Sequence, residues 1–153
     1  MADVVTPQVR SRMMAGIRAR NTAPELALRR GLHKAGFRFK LHDRKLPGKP
    51  DLVFPRYKAV IFANGCFWHR HGCHLFKWPL SRPDFWRRKI DRNHEVDIRN
   101  EAELTAAGWR ICIVWECALK GKKRLPFNDV IDACSNWLRS DLSKLEIGGS
   151  NGN

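Results

Sequence analysis

The sequence predicts one α/β domain, a mixed central sheet flanked by helices, and three observations carry that reading. The elements it encodes run helix, strands, helix, strand, helix, an order that packs a sheet between helical layers. The two longest apolar runs, Ala59 to Ala63 and Ile111 to Trp115, are five residues each against the ~20 needed to span a bilayer, and they read as buried strands. At 153 residues and 43% hydrophobic content, the chain has material for one compact core and is too short for two ordinary domains.

Each element has a local cause. Thr22-Ala23-Pro24-Glu25 forms a capping box, with Thr22 as N-cap and Pro24 in the first turn, where its missing N–H costs nothing. Leu28, Leu32 and Ala35 follow at helical spacing until Gly36 stops the helix. Phe37, Phe39 and Leu41 alternate with Arg38 and Lys40, the period of a half-buried strand. Leu46-Pro47-Gly48-Lys49-Pro50 is a turn, and Asp51 to Phe54 and Lys58 to Ala63 are strands separated at Pro55 and Arg56. From Asn64 to Arg82 the pattern dissolves into Gly, Cys, His and Trp, a loop that needs external support. A long helix is expected from Pro83 to about Ala107, ended by Gly108, then a strand over Trp109 to Glu116. A last helix from about Asn128 to Arg139 carries Val130, Cys134, Trp137 and Leu138 on one face, and the segment after it reads as a disordered tail.

The formal net charge of +14, from 29 Lys and Arg against 15 Asp and Glu, favours a polyanionic partner, with nucleic acid foremost. Basic residues are spread along the chain rather than gathered in an amphipathic anchor, which disfavours a membrane surface. Met1 through Arg20 holds four arginines but no secretion signal, so a cytoplasmic, nucleoid-associated location is expected. Five cysteines there argue for thiols or metal ligation rather than disulfides.

Cys66, His71 and Cys73 fall within eight residues of the irregular loop, and thiolate with imidazole is the ligand set zinc prefers. Cys117, just after the strand ending in Glu116, supplies a fourth ligand if that strand end lies beside the loop. The closed Cys3His tetrahedron would be structural, because no position is left for water. His74 rivals His71 on spacing, and buried free thiols are the plain alternative. Cys112 and Cys134 sit on apolar faces and read as small core residues.

Arg10-Ser11-Arg12-Met13-Met14 with Asn21-Thr22-Ala23-Pro24-Glu25, then Leu46-Pro47-Gly48-Lys49-Pro50-Asp51, Gly65-Cys66-Phe67-Trp68-His69 and Ile113-Val114-Trp115-Glu116-Cys117, together resemble the very short patch repair endonucleases. Matching segments stretch from about Arg10 to Gly121. The resemblance implies a fold similar to the type II restriction endonucleases and a hydrolytic nick 5′ to the mispaired thymine of T:G mismatches left by deaminated 5-methylcytosine. It also implies that Asp51 binds Mg²⁺ through a carboxylate oxygen and Ala63 through its backbone carbonyl. His69 would act on the water nucleophile, held by Asp97, while Glu25 orders metal-bound waters. Domain limits then follow: a DNA-contacting arm over 1–20, the endonuclease over 21–140 and a tail over 141–153. The implied protein is a monomer acting on double-stranded DNA, with mismatch-repair proteins as a further class of partner.

The residues agree with these roles. Mg²⁺ prefers oxygen ligands and keeps several waters, so one carboxylate, one carbonyl and a phosphate suffice. An imidazole suits a general base, and a carboxylate partner fixes its tautomer. Each residue also has a plainer reading: Asp51 closing a turn, Glu25 capping a helix, Asp97 as a solvated acid, His69 as another zinc ligand. Two departures matter. Phe62-Ala63-Asn64 lacks the acid and lysine that many restriction-type nucleases carry about a dozen residues beyond the first Asp. Asn64 stands where a histidine can occur, and it bonds a phosphate or water but shuttles no proton.

For DNA contact, Met14, Phe67, Trp68 and Trp86 match positions that the family wedges into the duplex, where unstacking costs least at a weakened pair. Arg82, Arg87, Arg88, Lys89 and Arg92 suit phosphate contacts, although a solvated helix face looks similar. The rival class is a zinc-stabilised DNA-binding protein without catalysis.

Overall fold

The computed structural model describes residues 22–150; the expected arm over 1–20, with Met14, lies outside the described residues. Helix α1 spans Ala23–Lys34, and Thr22 caps it, its hydroxyl accepting the Glu25 N–H at 3.4 Å. Gly36 closes the helix at φ 101°, a left-handed conformation that glycine adopts without Cβ strain. Strands β1 (Lys40–Leu41), β2 (Leu52–Phe54) and β3 (Ala59–Asn64) follow, with a 3-10 turn at Pro55–Tyr57. Helix α2 (Pro83–Ala106), β4 (Arg110–Trp115), the short α3 (Glu116–Leu119), α4 (Phe127–Arg139) and β5 (Lys144–Ile147) complete the chain.

The five strands form one open sheet in the order β1-β2-β3-β4-β5, antiparallel through β3 and parallel from β3 to β5. This is a mixed sheet covered on both faces. Period-two alternation within the strands decides which face each residue enters. Leu52, Phe54, Ala59, Ile61, Cys112 and Val114 pack against Leu28 and Leu32 of α1 and Val130, Cys134 and Trp137 of α4. Val53, Val60, Ile111, Ile113 and Trp115 turn the other way, toward Leu104 of α2 and toward Cys66 and Cys117. The strands therefore read as continuous apolar runs because neither face meets water. Arg110, opening β4, donates to the carbonyls of Tyr57, Trp137, Leu138 and Leu142 and so ties the C-terminal end of α4 to the sheet.

Three expectations shift. The strand expected over Phe37 to Leu41 shrinks to Lys40–Leu41, because Phe37 and Phe39 pack on Phe54 at centroid distances of 6.2 and 5.4 Å instead of joining a ladder. Glu116 leaves the strand and starts α3. The expected tail contains β5: Lys144 and Glu146 are exposed, Leu145 is partly buried and Ile147 is buried, so a four-residue alternation completes the edge beside β4. That signal was too short to outweigh the glycines behind it.

Candidate active site and metal centre

Asp51 lies one residue before β2, where the antiparallel register with β3 brings it to Ala63, and its Oδ2 accepts the Ala63 N–H at 2.7 Å. Burial pushes its carboxyl up to about 7; the Ala63 bond opposes the rise, and the nearby Glu25 charge adds to it. Glu25 is 1% exposed and is the one charged side chain in the buried set of the described residues. It reaches the site because α1 lies across this end of the sheet. Its Oε2 meets His42 Nε2 at 2.5 Å and Arg29 Nη1 at 3.4 Å. Ligand atoms of Glu25, His42 and Asp51 all lie within 4.8 Å of one another, a group that could hold a metal ion. His42 was missed in the sequence, since its only signal is a strand register that composition does not reveal.

His69 sits across the cleft on the loop after β3. Its Nδ1 contacts Asp97 Oδ2 on α2 at 2.5 Å, with both side chains about one-third exposed (28% and 31%). The Asn93 side chain, one turn away, donates to the Trp68 carbonyl at 3.2 Å, and Arg70 pairs with Asp91 at 2.7 Å. The face of α2 that carries Asn93 and Asp97 thus holds the loop rather than facing solvent. Asp51, Ala63, Asn64, His69 and Asp97 line one cleft of about 510 Å³. Asn64 is buried at the end of β3.

Beyond that cleft wall, Cys66, His71, Cys73 and Cys117 place their ligand atoms within 4.8 Å of one another, and His74 is not among them. His71 Nδ1 lies 3.5 Å from Sγ of both Cys66 and Cys117, and its ring stacks on Trp115 at 4.0 Å. Burial lowers the His71 imidazole and so favours the neutral form that ligates metals. Burial raises the thiols of Cys66 and Cys117, a cost that a bound cation would reverse. Backbone N–H groups of Leu75 and Gly149 point at Sγ of Cys73 and Cys117, at 3.4 and 3.2 Å, as they would toward charged sulfur. The four residues could hold a metal ion. Cys112 and Cys134 are fully buried in the core, as read from their apolar faces.

Phe67, Trp68 and Trp86 cluster at centroid distances of 5.4 to 6.0 Å, with Trp86 only 5% exposed and the other two half-buried. Arg82, Arg87, Arg88, Lys89 and Arg92 are exposed at the start of α2 beside this cluster. No helix among the described residues is long and apolar enough to cross a membrane.

Residues 2–75 match the family model described as DNA mismatch endonuclease Vsr. The type II nicking enzyme V.XorIIP of Xanthomonas oryzae pv. oryzae is 49% identical over 119 residues, 78% of this chain and 88% of that protein. DNA mismatch endonuclease Vsr of Escherichia coli is 42% identical over 147 residues, 96% of this chain and 94% of that one. A further nicking enzyme, V.NmeAIP of Neisseria meningitidis, is 44% identical over 122 residues, 80% of this chain and 87% of its own length.

Proposed function

The chain belongs to the DNA mismatch endonuclease Vsr family, and from that premise we propose that it is a Mg²⁺-dependent enzyme that nicks double-stranded DNA 5′ to the mispaired thymine of T:G mismatches. The observation that carries the chemistry is that Asp51, whose carboxylate lies beside that of the buried Glu25, lines the same cleft as the His69–Asp97 pair. Asp51 and the Ala63 carbonyl would hold Mg²⁺, with Glu25 ordering its waters, since oxygen donors are what this cation takes. Once bound, Mg²⁺ stabilises the charge that develops on the phosphate during displacement.

The chain's own groups do the rest. Asp97 accepts the Nδ1 proton of His69, which leaves Nε2 as the acceptor for a proton of the attacking water. The water oxygen bonds to phosphorus, the bond from phosphorus to the 3′ oxygen of the preceding nucleotide breaks, and that oxygen takes a proton from solvent water. Asn64 serves as a hydrogen-bonding group toward phosphate or water and not as a second base. The Cys3His group is proposed as a closed structural zinc site that fixes the loop carrying His69. Phe67, Trp68 and Trp86 would form the mismatch wedge with Met14, and Lys89 would contact phosphate. The fold is proposed to be of the type II restriction endonuclease kind, the protein to act as a monomer on bacterial cytoplasmic DNA.

Incubating the purified protein with a T:G-mismatched duplex, with Mg²⁺ and then with EDTA, tests this reading. A single nick 5′ to the thymine that requires Mg²⁺ is expected. No nick at any Mg²⁺ concentration would leave a zinc-stapled DNA-binding protein in its place.

A further inference from the structure

Glu25 and Asp51 approach one another in a buried setting, and a carboxylate out of water is costly unless partners meet it. Arg29 lies one turn along the same helix, and its Nη1 reaches Oε2 at 3.4 Å. His42 comes from a different element and meets the same oxygen at 2.5 Å. Its place follows from the sheet. The β1–β2 register pairs Leu41 with Leu52, and one step further the His42 N–H donates to the Asp51 carbonyl at 3.1 Å. His42 also sits at φ 48°, a left-handed conformation that is unfavourable for a side-chain-bearing residue and is kept where surrounding contacts hold it. That turn brings the ring back toward α1 instead of continuing the strand's outward course. With its side chain only 15% exposed, His42 forms part of the wall behind the carboxylates.

We infer that His42 is a positioning residue of the cation site, donating from Nε2 to Glu25 so that the Glu25 carboxylate faces the cation held by Asp51. The inference rests on the Mg²⁺ reading above. Mg²⁺ is a poor partner for imidazole and a good one for carboxylate, so the ring acts through Glu25 and not as a ligand. Such an outer partner changes metal affinity or activity by about 10- to 100-fold when it is lost.

The test uses the full zinc-loaded chain and measures Mg²⁺ affinity by calorimetry beside kcat and KM for a T:G duplex. His42→Ala is expected to weaken Mg²⁺ binding about 10- to 100-fold, with zinc content and KM for DNA unchanged and kcat partly restored by added Mg²⁺. His42→Gln, whose amide can donate the same bond, is expected to keep affinity within a few-fold of wild type. If His42→Ala loses its fold, His42→Leu replaces it as the donor-free variant. Wild-type Mg²⁺ affinity in a folded donor-free variant overturns the inference, and so does a folded His42→Gln as impaired as His42→Ala. A wild-type chain that binds no Mg²⁺ and does not nick overturns the nuclease reading, and this inference with it.

Discussion

Asp51 is pushed up to about 7 by burial and by the charge of Glu25, and this sets a pH window for the metal-free protein. Between the ordinary carboxylate value near 4 and about 7, the folded chain keeps a proton at Asp51 that the unfolded chain has released. The proton count is therefore higher in the folded state, and stability conferred at Asp51 falls as pH rises through that window. Asp51→Asn should flatten this slope in urea titrations at pH 5 and pH 8 while lowering the nicking rate at least ~100-fold. A variant that nicks at a normal rate would remove Asp51 from the cation site. For the same reason, the apparent Mg²⁺ affinity of the wild type should fall about tenfold per pH unit below 7, with a proton released on binding. Calorimetry in two buffers of different ionisation enthalpy measures that proton, and its absence at pH 6 would contradict the raised carboxyl.

The element that matters most is the loop from Gly65 to Arg82, which has little regular structure of its own and is held from two sides. His71 of the loop meets Cys117 at the start of α3, whose sulfur also accepts the Gly149 N–H from beyond β5, while Asn93, Asp91 and Asp97 tie the loop to α2. His69 stands two residues before His71, so metal loss should displace it. Cys73→Ser is expected to lose bound zinc by metal analysis, to melt at lower temperature and to nick roughly 10- to 100-fold more slowly even in excess Mg²⁺. His71→Ala should lose zinc likewise, whereas His74→Ala should retain it. Zinc kept in His71→Ala would refute the assignment of that ligand.

At the scale of the molecule, the charge of +14 is the sequence's broadest statement, and exposed Arg82, Arg87, Arg88, Lys89 and Arg92 concentrate part of it at the start of the helix that carries Trp86 of the aromatic cluster. Affinity for DNA should therefore fall linearly in log–log form with salt, with a slope of about −0.9 per phosphate neutralised. Arg88→Ala with Lys89→Ala should reduce that slope by about 2 in fluorescence anisotropy titrations, and should weaken matched and mismatched duplexes alike. An unchanged slope would make this a solvated face rather than a phosphate contact.

Much of the fold was legible because its signals are local. The Thr22 cap, the stop at Gly36, the apolar runs of β3 and β4 and the helix from Pro83 each depend on residues within a few positions of one another. The strand at Lys144–Ile147 was not legible, since four residues of alternation mean little until β4 offers an edge to complete. In the site, the family motifs marked Asp51, His69 and the thiols, but spacing left His71 and His74 equal, and Asp97 looked like a surface acid. The sequence by itself determined the set of chemical groups, the charge and the order of elements, because these are properties of the chain read residue by residue. Only the tertiary structure brought His71 rather than His74 beside the three cysteines, turned Asp97 toward His69 and set His42 against Glu25, because each placement rests on distances between elements far apart in the chain.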